Sequence, residues 1–413
     1  MSDNTKSSLD ALFKYKVAKE VNELVPSFAI IQEMMGDLSP ATKAGRKFLW
    51  PVALTLENGV TYGDGTVFTY NGAIAAVYGE AQIDAAPIVV QSRVSLSVAN
   101  TMLDDEATFI TETKLRAGTM KESLTKRLEV ECLYGKATAV GIGVVASQSG
   151  SSTTRAIVLS EATFAAAIWG GMENCLLENR NSSGTLLNTN ADITLVSVDV
   201  DTRTLNVSGN ATDLDAIIAT TVLWFKGQFA NGFSGIHKQL TNTGTLFNIS
   251  AATYQLWKAT SYAVGGSLTM AKTLRGLAKA VGKGGLTGPV VQLVSPETYE
   301  GLNSDLSALR MFDSSYGGGD GTSGFEGIAY RYQGGKVKIV AHPYCMPGYS
   351  YAGPEKGIRK IGRVDVNFGM GGDDYFEKLE GSAGYQLLCQ AEWSVFIEKP
   401  ARWVVFTGIT NAA

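Results

Sequence analysis

Residues that could perform acid–base or metal chemistry are few and widely separated in this chain of 413 residues. The only histidines are His237 and His342, and neither lies in an HExxH motif or in a spaced pair that could hold zinc. A serine–histidine–aspartate triad would need distant residues to converge, and no GxSxG nucleophile elbow supports one. The sequence therefore predicts no catalytic residue and no metal site.

Three pairs of aspartates could in principle bind Ca²⁺ or act together as acid and base. They are Asp199 with Asp201, Asp213 with Asp215, and Asp373 with Asp374. Each pair lies in a turn signal, where a carboxylate accepts hydrogen bonds from nearby backbone N–H groups. We therefore interpret all three pairs as turn residues.

The cysteines and the glycine motifs indicate no cofactor. Cys132, Cys175, Cys345 and Cys389 form no CxxC spacing, so we expect buried, reduced thiols. Residues 141–146 match the dinucleotide pattern GxGxxA, but a helical pattern precedes them where a strand is needed. The Gly-Lys pairs at 282–283 and 335–336 lack the remaining residues of a phosphate-binding loop and are interpreted as turns.

Composition and charge exclude further classes of function. The formal net charge is −4, so no global positive field is available to bind nucleic acid in the usual way. The longest apolar stretches, 139–146 and 164–171, are far shorter than the roughly 18–20 residues that span a membrane. The first eight residues lack the apolar core of a signal peptide, which predicts synthesis in a cytoplasm.

The first third of the chain has a distinctive order of elements. Residues 9–25 have the apolar spacing of a short amphipathic helix. From residue 48 the apolar period becomes two, and Asn58-Gly59 and Gly63-Asp64-Gly65 have the chemistry of tight turns, which predicts a β-hairpin. A long isolated hairpin is marginal in water, so it needs a surface to lie on. A strand over 88–98 and a single long helix over 103–134 follow.

The remainder alternates between strands and helices. Residues 147–250 are rich in Ser, Thr, Asn and Gly, and within them 193–198 and 205–207 predict a second hairpin. The apolar spacing of Met270, Leu274, Leu277, Ala278 and Val281 predicts a helix that ends at Gly282. Further elements are strands over 223–225, 290–294, 336–340, 385–397 and 403–406 and a helix that begins at Ser295-Pro296.

This order resembles the major capsid proteins of tailed bacteriophages, which have the Hong Kong 97-like fold. Three stretches add resemblance at the level of sequence. Residues 243–257 are similar to a "GTLFGI…ATYPxW" run in one branch of the family, residues 290–299 to its helix-opening Ser-Pro segment, and residues 381–409 to its closing strands. The implied fold class is α+β, with an N-arm, an extended loop, a peripheral domain that contains a spine helix, and an axial domain.

The resemblance implies a division of the chain into segments. These are an N-terminal arm over 1–47, the extended loop over 48–86, a peripheral domain over 87–146 with spine helix 103–134, an axial domain that could contain an insertion over 147–380, and closing C-terminal strands over 381–413. Only about 47 residues precede the hairpin, so we expect a separate scaffolding protein and no cleaved scaffolding segment. No positions match the Lys–Asn cross-links that some members form.

The function implied is structural, not enzymatic. The chain would form the hexamers and pentamers of an icosahedral head in the host cytoplasm, together with a portal, the scaffolding protein and, in some phages, a decoration protein. Contact with the packaged double-stranded DNA would be loose, and no membrane would be involved. Two alternatives remain: an encapsulin-like compartment that carries enzyme cargo, and an enzyme or carbohydrate-binding β-protein.

The hairpin supplies the candidate site. An extended hairpin with one modest apolar face would complete its contacts on a neighbouring subunit. We therefore predict that the interface residues are Val60, Tyr62, Asp64, Val67 and Phe68. No cofactor is implied.

Overall fold

The computed structural model describes residues 28–36, 38, 42–44, 47–95, 106–150, 152–304, 328–369, 376–378 and 384–411. Within them helices and strands mix in one chain, as the sequence predicts. The predicted helix over 9–25, Asp373 and Asp374 lie outside this part of the chain, and so do the side chains at the start of the predicted helix over 103–134.

The first two helices in the described ranges pack against each other. They are α1 (Ile30–Met35) and α2 (Glu106–Tyr134), and α2 is the predicted long helix. Its 29 residues span about 44 Å at about 1.5 Å per residue. The predicted stripe Met120, Leu124, Leu128 and Cys132 is buried. The helix ends before Gly135, where a Cβ would lie 2.3 Å from the carbonyl oxygen of Phe233, so only glycine fits. None of the helices in the described ranges is long and apolar enough to cross a membrane.

A closed antiparallel barrel follows the long helix directly. Its strands occur in the order β10-β5-β6-β9-β8-β7. They are β5 (Gly143–Ser149), β6 (Thr154–Leu159), β7 (Leu176–Arg180), β8 (Ile193–Asp199), β9 (Thr204–Ser208) and β10 (Val222–Phe225). The pairing of β8 with β9 confirms the hairpin predicted around 199–203. The short helices α3 (Ala166–Trp169) and α4 (Ala211–Asp215) lie in its connections.

A six-stranded mixed sheet has the order β13-β21-β17-β14-β16-β15. Its strands are β13 (Thr260–Gly266), β14 (Val290–Val294), β15 (Ile328–Tyr332), β16 (Gly335–Ala341), β17 (Tyr349–Pro354) and β21 (Val404–Ile409). Helices α5 (Gln228–Asn231) and α6 (Ile236–Leu240) precede it, and α7 (Met270–Gly284) and α8 (Pro296–Asn303) connect its strands. Ser295 accepts a hydrogen bond from Thr298 N, which confirms the predicted start of α8.

The prediction for α7 was wrong in two respects. The helix passes through Gly282 and ends at Gly284, because Gly285 adopts the left-handed conformation that closes a helix. Leu274 and Ala278 are exposed, although the spacing predicts that they face inward. The helix instead turns Gly276 toward the sheet, where a Cβ would lie 2.4 Å from the ring of Phe406. This close approach rotates the buried face away from Leu274.

A four-stranded sheet joins distant parts of the chain. Strand β20 (Gly384–Ile397) pairs with β4 (Ala86–Ser95) on one side and with β18 (Ile358–Phe368) and β19 (Phe376–Lys378) on the other. Ile88 and Val90 of β4 pack against the core, as the alternation of that strand predicts.

A three-stranded sheet has the order β1-β2-β3, with β1 (Thr42–Ala44), β2 (Lys47–Ala53) and β3 (Tyr78–Asp84). A separate two-stranded hairpin, β11 (Thr245–Leu246) and β12 (Ile249–Ser250), lies further along the chain. Single turns of 3₁₀ helix occur at Glu161–Thr163, Gln255–Trp257 and Pro400–Arg402.

Several sheets take strands from more than one of the segments that the resemblance implies, and the division into those segments stays a prediction. The boundary between 146 and 147 falls inside β5, since the barrel begins at Gly143. The segment 147–380 contributes to four sheets, because it holds most of the barrel, the hairpin of β11 and β12, most of the six-stranded sheet, and the strands β18 and β19. The segment 381–413 divides between two sheets through β20 and β21.

Candidate assembly interface

Residues 47–84 form a two-stranded ribbon whose base is anchored in the body of the protein. The base consists of β2 and β3, which pair from Lys47–Asp84 to Ala53–Tyr78. Phe48, Ala81 and Ile83 are at most 5% exposed and pack in one cluster with Phe396. The base is therefore fixed by ordinary core packing within the subunit.

The ribbon tip, residues 54–77, has the opposite character. Tyr62 is 93% exposed and Val67 is fully exposed. The tip carries eight of the seventeen exposed large apolar side chains in the described ranges, although it contains only 24 of the residues in those ranges. These eight are Leu56, Val60, Tyr62, Val67, Phe68, Tyr70, Ile74 and Val77. A concentration of this kind is typical of interaction surfaces, because exposed apolar residues on most proteins are scattered singly.

The regular ladder of the hairpin stops at Ala53 and Tyr78, earlier than the sequence predicts. Beyond that point side chains replace many of the backbone bonds. Val77 N donates to Thr55 Oγ1 at 2.8 Å, and Asn71 Nδ2 donates to Val60 O at 2.9 Å. The two arms of the tip therefore stay together without forming a sheet.

The predicted turn chemistry holds at one position and fails at the other. Gly65 has a φ of +91°, as a tight turn requires. Asn58-Gly59 makes no such turn, because neither residue has a positive φ. Gly59 instead lets the two arms approach, since a Cβ there would lie 3.0 Å from the Cα of Ala73.

All five predicted interface residues lie on the exposed tip. Asp64 accepts hydrogen bonds from the side chain and the backbone of Thr66, and these lower the pKa of its carboxyl. Phe68 packs over Gly63, where a Cβ would lie 2.3 Å from the ring, and stacks edge-on against Tyr70 at 5.9 Å. Asp64 and Phe68 therefore shape the tip as well as lining it.

Sequence reasoning missed four of the exposed residues, Leu56, Tyr70, Ile74 and Val77. Leu56 and Tyr70 continue the apolar periodicity that drew attention to Val60 and Val67, so this signal could have found them. Ile74 and Val77 lie in a stretch of alanines with no alternation. Nothing local in the sequence separates them from core residues.

The tip is uncharged apart from two acidic residues. Glu57 and Asp64 are its only ionisable acids, and it has no lysine or arginine. A surface of this composition does not attract phosphate, because binding to nucleic acid depends on neutralisation by basic side chains. The chemistry of the tip fits an apolar protein surface.

The histidines serve the interior of the fold. His342 Nδ1 accepts from Tyr344 N, so the proton is on Nε2, which donates to Glu129 at 2.9 Å. Glu129 lies on α2 and also accepts from Ile31 N at 2.5 Å and from Gln32 N at 3.3 Å. This buried carboxylate therefore joins the N-terminus of α1, the long helix and the loop after β16.

The second histidine is enclosed by tyrosines. His237 Nδ1 lies 2.8 Å from the hydroxyl of Tyr351, and its ring stacks edge-on against Tyr349 and Tyr351. Burial, with a smaller contribution from the charge of Lys238, lowers the pKa of His237 to about 4. The imidazole is therefore neutral near pH 7.

Two buried ionisable side chains of the long helix bind the connection between β6 and β7 and the loop after β10. Lys126 Nζ donates to Gly170 O at 2.5 Å, and burial lowers its pKa to about 8. Glu131 accepts from Phe233 N at 2.6 Å, and burial raises its pKa to about 8. Each group contacts a backbone atom of another segment, so each has a structural partner.

The prediction that the aspartates bind within their own turns is confirmed for Asp199 and wrong for Asp213 and Asp215. Asp199 accepts from the N–H groups of Asp201 and Thr202 in the turn between β8 and β9. Asp213 binds the backbone N–H groups of residues 189–191, 22–24 positions away, and Asp215 binds Arg155, 60 positions away, because the fold brings these segments together. In the described ranges no group of three or more His, Cys, Asp or Glu residues could hold a metal ion. The four cysteines are free, three of them buried and Cys175 half-buried.

The fold is that of known capsid proteins. The chain is similar to the capsid protein in the "Cyanophage A-1(L) capsid asymmetric unit", with a TM-score of 0.52 and 12% identity over 98% of this chain and 100% of that one. It is also similar to the structure "Capsid of empty GTA particle computed with C5 symmetry", with a TM-score of 0.51 and 7% identity over 99% and 100% of the two chains. The native GTA particle gives a TM-score of 0.50 at 7% identity over the same shares. No protein-family model and no curated protein matches the sequence.

Proposed function

We propose that this chain is the major capsid protein of a tailed bacteriophage and assembles into the icosahedral head that encloses double-stranded DNA. The observation that carries the proposal is the exposed apolar ribbon tip on a chain whose whole length has the fold of phage capsid proteins. Each large apolar side chain that a neighbour covers contributes about 1.5–3 kcal/mol. Eight such side chains supply a strong contact for every subunit.

The segments of the family map onto the sheets as follows in this proposal. The four-stranded sheet and α2 form the peripheral domain, the six-stranded sheet with α7 and α8 forms the axial domain, and the ribbon is the extended loop. The barrel over 143–225 is an insertion between them, since it closes on itself and shares no strand with another sheet. The N-terminal arm docks through α1 on Glu129.

The partners follow from the same proposal. Copies of the chain form hexamers and pentamers, and a separate scaffolding protein, a portal and, in some phages, a decoration protein complete the head. The packaged DNA touches the subunits loosely, in keeping with the net charge of −4. The protein acts in the virion and performs no catalysis.

Shortening the ribbon tests the proposal. Asn58 N donates to Ile74 O at 3.1 Å, so the two arms lie close together where the segment 58–72 begins and ends. We replace this segment by Asn-Gly, which favours a two-residue hairpin turn. We expect this variant to fold, to stay soluble and to form no shells in negative-stain micrographs, whereas the unchanged chain forms shells. Normal shells from the shortened chain would refute the proposal.

A matched pair of point variants controls for general effects of added charge. Val67→Asp places a carboxylate on the tip, and Val196→Asp places one at an exposed position on the barrel. We expect Val67→Asp to abolish assembly and Val196→Asp to permit it. Shells that carry enzyme cargo instead of nucleic acid when isolated from their natural source would support the encapsulin alternative.

A further inference from the structure

The segment 244–257, here called the clamp hairpin, lies against the ribbon at the point where its ladder ends. It consists of β11, β12 and the 3₁₀ turn Gln255–Trp257. Its two-residue loop is Phe247-Asn248, and both residues have positive φ, +52° and +65°. Positive φ at both central positions is the requirement of a type I′ hairpin turn. The backbone direction at Phe247 is therefore set by this turn.

The turn makes a direct hydrogen bond to the ribbon. Gln82 N donates to Phe247 O at 3.0 Å. Gln82 belongs to β3, the edge strand of its sheet, so this bond uses an edge that β2 leaves free. Below it, Ile249 packs under Gly79, where a Cβ would lie 3.8 Å from Ile249 Cδ1. The clamp hairpin thus contacts β3 at two positions, Gly79 and Gln82.

Aromatic packing through Phe396 joins the clamp hairpin to β2, the other strand of the ribbon base. Phe396 is fully buried, and its ring centroid lies 5.7 Å from that of Phe247 and 5.8 Å from that of Trp50 on β2. Trp257 lies 6.3 Å from the same ring and donates through Nε1 to Leu246 O at 3.2 Å. The hairpin is therefore tied to the core on one side and to the ribbon on the other.

We propose that the clamp hairpin fixes the direction in which the ribbon leaves the subunit, and that it thereby sets how the tip meets a second copy of the chain. The second part rests on the proposed function. Residues 54–66 reach about 40 Å when extended at about 3.3 Å per residue, so a tilt of about 10° at the base moves the tip by roughly 7 Å. Small changes at Phe247 therefore have large effects at the tip.

The first experiment measures ribbon direction in the unassembled full-length chain. Spin labels are placed at exposed positions on the tip and on α7 through Thr69→Cys and Ala278→Cys, in a Cys175→Ser background that removes the most accessible native thiol. Asn248→Pro breaks the turn, because proline cannot adopt a positive φ. Asn248→Gly is the matched control, because glycine adopts this φ without cost.

We expect one narrow distance distribution for the unchanged chain and for Asn248→Gly, and a distribution at least about twofold broader for Asn248→Pro. Phe247→Ala removes the ring but keeps the carbonyl group, and we expect an intermediate width. If circular dichroism shows that Asn248→Pro fails to fold, Phe247→Ala decides the result. Unchanged widths in the folded variants would overturn the proposal.

The second experiment measures particle size by electron microscopy. We expect uniform shells from the unchanged chain and from Asn248→Gly, and a mixture of sizes and open sheets from Asn248→Pro. Uniform shells of one size from Asn248→Pro would overturn the link to assembly. If the unchanged chain forms no shells while the label distances still broaden, the proposed function fails and the role of the clamp hairpin in directing the ribbon stands.

Discussion

The barrel and the ribbon are both built from antiparallel strands, but only the barrel pairs all its strand edges and buries its apolar face within the subunit. The barrel joins β10 to β5 and β7, so every strand in it has two partners. Its inward side chains, among them Leu195, Leu205 and Val207, are at most 1% exposed. Closure of this kind removes the free edges that would pair with other chains. The barrel is complete within one subunit.

The ribbon has neither closure nor a second layer beyond its base. Its tip presents Tyr62 and Val67 to solvent and holds its arms together with side-chain bonds. The same chain thus buries the apolar side chains of its barrel within the subunit and leaves those of the ribbon tip in solvent. We infer that the missing half of the ribbon's packing is supplied by another subunit.

The largest expected effect is on the free energy of unfolding, which should fall for a truncation inside the barrel and stay nearly constant for one on the ribbon tip. Leu205→Ala in the barrel leaves a cavity in a fully buried position, and we expect a loss of about 2–5 kcal/mol in the free energy of unfolding. Val67→Ala on the tip is the control, and we expect a change within about 0.5 kcal/mol. Urea unfolding of the full-length chain below its assembly concentration measures both. Similar losses in the two variants would show that the tip is packed within its own subunit.

The pH dependence of stability should show an effect of similar size, which comes from the buried His237 beside the long helix. The pKa of His237 is about 4 in the folded chain and 6.5 as its ordinary value, so the unfolded chain takes up a proton first as the pH falls. Stability is therefore lost between pH 6.5 and about 4, by about 3 kcal/mol at about 1.4 kcal/mol per unit. We expect the difference between the unchanged chain and His237→Gln to show this loss. A difference that does not vary with pH would mean that His237 is solvated.

The smallest expected effects on stability come from substitutions at two tyrosines, Tyr134 in the core and Tyr62 on the tip. Tyr134 is buried and its hydroxyl accepts from Met346 N at 2.7 Å, so Tyr134→Phe leaves a buried donor without its partner and costs about 1–3 kcal/mol. Tyr62→Ser on the tip changes the free energy of unfolding by less than about 0.5 kcal/mol. Light scattering during assembly should give the reverse order, with Tyr62→Ser slow or inactive. Equal assembly rates would contradict the role of the tip.

Much of the fold was predictable because its signals are local. The stripe from Met120 to Cys132 and the Ser295-Pro296 cap depend on residues within one element, and the structure confirms both. The buried face of α7 was not predictable, since it depends on Gly276 meeting Phe406, which is 130 positions away in the sequence. Barrel closure was missed for the same reason, because β10 and β5 pair across 72 intervening residues.

The position of the candidate site was predictable from the sequence, but the contacts that shape it were not. Alternating apolar residues and turn glycines located the tip, but the role of Gly59 depends on the opposite arm at Ala73. The clamp hairpin was visible only as a stretch that resembles other sequences, because its contact with Gln82 joins segments 165 positions apart. Exposure itself is a property of the whole fold, and no local pattern reports it.

A reconstruction of assembled particles by cryo-electron microscopy tests the central claim most directly, through the exposure of Tyr62 and Val67. We predict that both side chains, which are almost wholly exposed in the single subunit, are buried against a second copy of the chain. Particles in which both remain in solvent, or in which the tip folds back onto its own subunit, would contradict the account.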